Sequence, residues 1–247
     1  MNRLFCSLDW VDPEHAVELA GRLKGAVGGI KLGTEYLFLN GLRGLEPFQA
    51  LGLPIIADMK LNGLPRVVSD TVRRAAVARP FAITVHASGG APMMRAAAAA
   101  AHAAAQVGGF MRPKLFAVTV LTTMDEAELG AVGVASSLRE QTLRLAALAR
   151  TCGLDGVWTT ADELPRLRAE LGDDFLLVVP AIRPVWSASD DQKRIVTPGD
   201  AVRGGADYLV VGRPITQAFD PAAAARRIVD EMVAATARAA APVSSHT

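Results

Sequence analysis

The sequence predicts an α/β fold, a single-domain (β/α)8 TIM barrel, and three observations lead to this prediction. Eight short apolar, β-branched runs alternate with longer helical patterns, which is typical of a parallel sheet. The chain has 247 residues, close to the roughly 250 that are usual for one such barrel. A doubly wound sheet is the alternative, but no glycine-rich nucleotide fingerprint follows the first predicted strand.

The predicted strands are short runs, and the segments between them are long enough to be helices. The strands are residues 4–8, 29–32, 54–59, 82–85, 114–121, 156–158, 175–179 and 208–211. The helices are residues 13–23, 35–51, 64–78, 91–106, 138–152, 163–171 and 221–237. No linker divides the chain, so we expect one barrel over residues 1–237. Residues 238–247 lose the helical periodicity and are expected to form a disordered C-terminal tail.

Composition excludes several classes of function. The 26 Lys and Arg residues nearly balance the 25 Asp and Glu residues, so neither nucleic acid nor an acidic membrane surface is an expected partner. No apolar run is long enough to span a bilayer, and the N-terminal sequence shows no signal-peptide region. The two cysteines lack metal-type or redox-type spacing, which favours buried thiols in the cytoplasm. The four scattered histidines predict no metal site.

Polar or charged side chains lie at or just after the end of every predicted strand, where barrel enzymes carry their chemistry. In strand order these residues are Asp9, Lys31, Asp58, Lys60, His86, Thr122, Thr159, Arg183 and Arg213. Each has an ordinary explanation alone, because strands end near water. The complete series around one rim favours a functional site.

Two parts of this rim point to particular chemistry. Asp58 and Lys60 are two residues apart on one strand, so their side chains are expected on one face, with Lys31 on the neighbouring strand. The pair is either a structural salt bridge or a poised proton donor. At the opposite side, Gly212 and Arg213 follow the last strand, where this fold commonly binds phosphate. A solvated charge at the rim is the alternative for Arg213.

Nine stretches along the chain carry a family resemblance. They are SLDW (7–10), IKLG (30–33), ADMK (57–60), TVHASGG (84–90), AVTVLTTMDEAELG (117–130), GLDGV (153–157), IRP (182–184), DQKRIVTP (191–198) and GADYLVVGRPIT (205–216). In this order they resemble the bacterial branch of the orotidine 5′-phosphate decarboxylases. The resemblance implies a carboxy-lyase of pyrimidine nucleotide biosynthesis that forms uridine 5′-monophosphate (UMP) and CO2 and needs no cofactor. It also implies a homodimer with active sites at the subunit interface.

The resemblance implies a role for each rim residue. Lys60 would deliver a proton to C6 of the pyrimidine, Asp58 would lie against the substrate carboxylate, and Lys31 would join this charged network and contact the ribose. Asp9 would bind ribose hydroxyls, and Thr122 would contact the edge of the pyrimidine. The phosphate and the closing loop would be held by four residues: Arg183, Gln192, Gly212 and Arg213.

The chain departs from the family pattern directly after the third strand. The family reads Asp-x-Lys-x-x-Asp-x-Pro-x-Thr, whereas this chain has Gly63 in place of the second Asp and Val67 in place of the Thr. In the family both side chains reach the active site of the neighbouring subunit. Asp70 is two helical turns from Gly63, about 10 Å by helix rise, and is not expected to substitute. Ala181 also stands where the family usually has Gly.

Three functions follow from this departure. The chain is a decarboxylase of orotidine 5′-phosphate with an impaired or retuned rate, or a divergent paralogue acting on another 6-substituted uridine 5′-monophosphate. The third is a non-catalytic binder of a pyrimidine nucleoside 5′-monophosphate. The Asp58–Lys60 pair favours catalysis, because a pure binder has no need of a costly buried ion pair.

Overall fold

The structure is a computed structural model, and it describes residues 2–9, 12–187 and 196–239. Eight parallel strands close into a barrel in which each strand pairs with its neighbours in chain order and β1 pairs with β8. The strands are β1 (Leu4–Ser7), β2 (Gly29–Leu32), β3 (Ile55–Leu61), β4 (Ala82–His86), β5 (Lys114–Val118), β6 (Gly156–Trp158), β7 (Leu176–Val179) and β8 (Tyr208–Val211). The predicted α/β barrel is therefore confirmed.

Helices connect the strands and surround the barrel. They are α1 (Pro13–Leu23), α2 (Thr34–Asn40), α3 (Glu46–Ala50), α4 (Pro65–Val77), α5 (Gly90–Gly108), α6 (Glu126–Ala131), α7 (Leu138–Thr151), α8 (Leu164–Leu171), α9 (Pro198–Arg203), α10 (Arg213–Thr216) and α11 (Pro221–Ala239). Short 3-10 helices cover Leu42–Leu45, Ala87–Gly89 and Ala161–Glu163. No described helix is both long and apolar enough to cross a membrane.

Local sequence explains where several helices begin. The Asp12 side chain accepts hydrogen bonds from the backbone of Glu14 and His15 and starts α1. Asp125 and Ser137 form complete capping boxes at the starts of α6 and α7. These side chains satisfy backbone N–H groups that a helix start leaves without partners.

Among the element boundaries that differ from the sequence prediction, two have identifiable reasons. The helix predicted over residues 35–51 is broken, because Gly41 takes a positive φ of 60° at the end of α2. The strand predicted to reach residue 121 ends at Val118, and the Thr119 hydroxyl then bonds the carbonyl of Trp158. The residues after Val118 thereby leave the sheet.

The final helix extends through Ala239, two residues beyond its predicted end, so Arg238 and Ala239 are helical rather than part of the expected tail. Residues 240–247 of that expected tail lie outside the described residues.

The apolar core holds the strand ends in place. A large cluster fills the space between strands and helices, and a second cluster, including Phe5, Phe116 and Trp158, fills the inside of the barrel. At the amino ends of β7 and β8, the Arg168 guanidinium bonds the carbonyls of Phe175 and Gly205 and the Asp207 carboxylate. With one end closed by such contacts, the carboxyl ends of the strands remain available for a site.

Candidate active site

A cavity of about 680 Å³ opens at the carboxyl ends of the strands. Its described lining comes from seven of the eight strands or the loops that follow them. Every residue predicted for the rim at or after the carboxyl ends of β1, β2, β3, β7 and β8 contributes to it: Asp9, Lys31, Asp58, Lys60, Arg183, Gly212 and Arg213. The fold thus brings residues more than 200 positions apart in the sequence to one cavity.

Four charged side chains form a continuous network on one wall. Lys60 Nζ lies 2.5 Å from Asp58 Oδ2, and Lys31 Nζ lies 2.5 Å from Asp9 Oδ1. Lys31 Nζ is also 3.5 Å from Asp58 Oδ2, which joins the two pairs. The signs alternate along the wall, so each ammonium has a carboxylate beside it.

Asp58 lies at the centre of this network and is 1% exposed. Its Oδ2 faces both ammonium groups, while its Oδ1 accepts a hydrogen bond from the Thr84 hydroxyl. Burial without such partners would strongly disfavour the charged form of a carboxylate. The Lys60 side chain is 36% exposed, so it extends from the buried Asp58 carboxylate into the open cavity.

The route by which Asp58 and Lys60 meet differs from the regular strand alternation assumed from the sequence. The pairing of β3 with β4 shifts register between Ala57 and Leu61, and Lys60 adopts a left-handed backbone with a φ of 46°. Such a backbone is costly for a residue other than glycine and is concentrated at functional sites. An irregularity in the strand, rather than a regular pleat, therefore directs Lys60 towards Asp58.

Asp9 has both carboxylate oxygens engaged, by Lys31 and by the Ser7 hydroxyl at 2.7 Å. Burial opposes its ionisation, but the charge of Lys31 and these hydrogen bonds outweigh burial and lower the pKa of Asp9. Gly33 packs closely against this pair, since a Cβ there would come within 2.4 Å of Asp9 Oδ1. A side chain at position 33 would therefore displace the Asp9 carboxylate from its place beside Lys31.

The opposite wall carries the arginines expected to hold a phosphate. Arg213 begins the short helix α10 directly after Gly212, and both line the cavity. Arg183 is 6% exposed, and its backbone N–H bonds the carbonyl of Val196. Ala181 lines the same wall with a φ of 63°. Gln192, the remaining residue predicted for this wall, lies outside the described residues.

The third wall is mainly apolar. Thr122 lies at its exposed rim, while Val118, Val120 and Trp158 form its surface. Thr159 also lines the cavity, and its buried hydroxyl makes no hydrogen bond. An apolar wall facing charged walls suits a planar ring that carries anionic substituents.

Several lining residues were assigned no role from the sequence. Ser7, Trp158 and Gln217 contribute to the cavity, but their place in the sequence gives little signal. Ser7 lies inside the matched SLDW stretch, which is the signal that could have identified it. His86, in contrast, is the last residue of β4 but is absent from the described lining, and burial together with the charge of Lys60 lowers its pKa.

Gly63 and Val67 are not among the described residues that line the cavity of a single chain. Val67 is 57% exposed and the neighbouring Leu64 is 73% exposed. A Cβ placed on Gly63 would meet only a methyl group of Val68, at 3.9 Å. Asp70 pairs with Arg73 at 2.7 Å on the surface of α4.

Comparison with known proteins identifies the family of this chain. The family model described as "Orotidine 5'-phosphate decarboxylase / HUMPS family" matches residues 2–228. The chain is 50% identical over 233 residues to an orotidine 5′-phosphate decarboxylase of Rhodospirillum rubrum, with 94% of each chain covered. It is 44% identical over 232 residues to an orotidine 5′-phosphate decarboxylase of Paramagnetospirillum magneticum, covering 94% of this chain and 99% of that protein.

Solved structures show the same barrel. The crystal structure of orotidine 5′-phosphate decarboxylase from Lactobacillus acidophilus matches with a TM-score of 0.83 and 32% identity, covering 94% of this chain and 99% of that one. An uncharacterized conserved protein from Geobacillus kaustophilus matches with a TM-score of 0.82 and 30% identity, covering 93% and 99%. The resemblance to a family of carboxy-lyases, inferred from the sequence, is confirmed. A matched family model, close relatives over nearly the whole chain and a shared barrel lead to one conclusion: this chain belongs to the orotidine 5′-phosphate decarboxylase / HUMPS family.

Proposed function

We propose that this protein decarboxylates orotidine 5′-phosphate to UMP and CO2 in pyrimidine nucleotide metabolism, at a rate impaired or retuned by Gly63. The observation that carries the proposal is the buried Asp58 carboxylate between two lysines, on one wall of the cavity that also holds Arg213. Relatives that are 40–50% identical to this chain are orotidine 5′-phosphate decarboxylases, which supports this reaction.

The walls of the cavity suit the parts of this substrate. A phosphate would lie against Gly212, Arg213 and Arg183, because guanidinium groups bind phosphate through paired hydrogen bonds. The ribose hydroxyls would contact Asp9 and Lys31. The pyrimidine would lie along the apolar wall with its edge at Thr122, which places C6 towards Lys60.

The charged network then acts on the substrate carboxylate. The Asp58 carboxylate is held in place by Lys60 and by the Thr84 hydroxyl. A substrate carboxylate beside it is destabilised by repulsion between the two carboxylates, and this repulsion is relieved when CO2 leaves. The C6–carboxylate bond breaks, its electron pair remains on C6, and the ammonium of Lys60 stabilises this charge. Lys60 then transfers a proton to C6 and regains one from water. No step of this sequence requires a metal or an organic cofactor.

Gly63 is the basis for proposing a changed rate. We propose a homodimer in which α4 of each subunit faces the active site of the other, consistent with the exposed Leu64 and Val67. In that arrangement the family's second aspartate would enter the neighbouring site, and this chain supplies a glycine instead. Compared with the family pattern, the proposed site has one negative charge fewer beside Lys60.

The test is an ultraviolet assay of purified protein mixed with orotidine 5′-phosphate. We expect the absorbance change of conversion to UMP, and a loss of about 10²- to 10⁴-fold in kcat for Lys60→Ala. Lys24→Ala, an exposed lysine at the end of α1, is the matched control and should retain wild-type kcat. Equal rates for the wild type and Lys60→Ala would refute the proposed role of Lys60.

Gly63 also favours a second function, decarboxylation or related chemistry on another 6-substituted uridine 5′-monophosphate. The open space around Gly63 would accommodate a substituent where the family carries a carboxylate. Activity on such a nucleotide, exceeding activity on orotidine 5′-phosphate, would support this function. Tight UMP binding with no turnover of either substrate would instead support the non-catalytic binder.

Two further expectations remain proposals. The barrel is proposed to form one domain over residues 1–237, although α11 itself continues to Ala239. The protein is proposed to act in the cytoplasm, where Cys6 and Cys152, both buried and free of disulfide bonds, would stay reduced.

A further inference from the structure

Thr84 on β4 lies behind the charged network and is 0% exposed. Its hydroxyl oxygen accepts a hydrogen bond of 2.8 Å from the backbone N–H of Lys60. The same hydroxyl donates a hydrogen bond of 2.8 Å to Asp58 Oδ1. One buried side chain therefore contacts both members of the Asp58–Lys60 pair.

The directions of these two bonds are determined by chemistry. A backbone N–H only donates, and an ionised carboxylate only accepts. A threonine hydroxyl has one proton of its own. The Thr84 oxygen therefore accepts a hydrogen bond from the backbone N–H of Lys60, and the Thr84 O–H donates a hydrogen bond to Asp58. This arrangement occupies Oδ1 of Asp58 and leaves Oδ2 facing Lys60 and Lys31.

Because β3 pairs irregularly with β4 at this point, a side chain of β4 bonds the backbone N–H of Lys60. Ala57 pairs with Ile83 and Leu61 pairs with Val85, so β3 advances four residues while β4 advances two. Thr84 is the β4 residue between these two pairs, and Lys60 lies in the extra length with a φ of 46°. The Thr84 hydroxyl thus holds the irregular segment of β3 at Lys60, which is the proposed proton donor.

We propose that Thr84 is a positioning residue for the decarboxylation, acting through Asp58 and Lys60 without touching the nucleotide. This inference rests on the proposed function. Thr84 is not among the described residues that line the cavity. It orients the carboxylate towards the lysines and holds the Lys60 backbone in the conformation that presents Nζ to C6.

The experiment compares Thr84→Val with Thr84→Ser. Valine keeps nearly the same shape and removes both hydrogen bonds, whereas serine keeps the hydroxyl. For Thr84→Val we expect kcat to fall by about 10- to 100-fold, because misplacement of a reacting group by a fraction of an ångström is costly. KM and the UMP dissociation constant should stay within about threefold, since the phosphate wall is untouched. Thr84→Ser should recover kcat to within about threefold of the wild type.

Three results would overturn the inference. They are an unchanged kcat in Thr84→Val, an equal loss of kcat in Thr84→Ser, or a weakening of UMP binding by the same factor as kcat. The last two would indicate a general structural defect rather than positioning through the hydroxyl. Binding of UMP also reports whether Thr84→Val is folded.

A binding measurement separates this inference from the proposed function. If the wild type releases no CO2, the proposed function fails, and the probe becomes a uridine 5′-monophosphate carrying an anionic oxygen at C6. The wild type should prefer this probe to UMP, and Thr84→Val should reduce the preference by about tenfold. An equal preference in the two proteins would overturn the role of Thr84 whatever the reaction is.

Discussion

Replacing Gly63 with the aspartate of the family pattern tests most directly whether Gly63 lowers the rate of decarboxylation. The site accepts the side chain, because a Cβ on Gly63 meets only Val68 Cγ2 at 3.9 Å and the residue has no positive φ. The substitution is on an exposed segment, so we expect the free energy of unfolding to change by less than about 0.5 kcal/mol. Any change in turnover would then reflect the charge and not the fold.

The magnitude follows from the surroundings of Lys60. A carboxylate about 4 Å from an ammonium, at an effective dielectric constant of about 20, contributes about 4 kcal/mol. The Lys60 side chain is 36% exposed, and solvent screening reduces this value. If about a third to two thirds of this interaction energy is retained, it contributes about 1.3–2.7 kcal/mol, which corresponds to a gain of about 10- to 100-fold in kcat.

The assay is steady-state decarboxylation of orotidine 5′-phosphate by the wild type, Gly63→Asp and Gly63→Asn. Asparagine is the matched control, because it has nearly the size of aspartate and no charge. We expect Gly63→Asp alone to gain turnover. No gain, or an equal gain in Gly63→Asn, would refute the reasoning that a missing negative charge limits the rate.

Two further predictions concern backbone strain and pH. Ala181→Gly should raise the free energy of unfolding by about 0.5–1 kcal/mol, because Ala181 holds a φ of 63° that glycine adopts without strain; a lower value in urea titration would contradict this. Asp9 has a folded-state pKa below its ordinary value of 3.8, so its contribution to stability is present above about pH 4 and is lost as the pH falls below it. Asp9→Asn lacks this contribution and should lose stability less steeply than the wild type between about pH 5 and pH 3, and an equal slope would contradict the assignment.

The sequence alone was sufficient to predict the fold and many of the residues that line the cavity. Strands β2, β6 and β8 begin and end at the predicted residues, because short β-branched runs bounded by helical patterns are a local signal. The rim residues Asp9, Lys31, Asp58, Lys60 and Arg213 were found by reading each strand to its end. This works because parallel barrel strands all present their carboxyl ends at one face.

The way in which these residues meet depends on tertiary contacts. The shift in register beside β4, the left-handed backbone of Lys60 and the hydroxyl of Thr84 between Lys60 and Asp58 depend on contacts across 24 or more positions. The close approach of Gly33 to Asp9 likewise joins the segment that follows β2 to the segment that follows β1. Sequence patterns report local periodicity and propensity, whereas these contacts arise when strands distant in the chain pack together. The sequence therefore determined which groups surround the cavity, and packing determined their distances and directions.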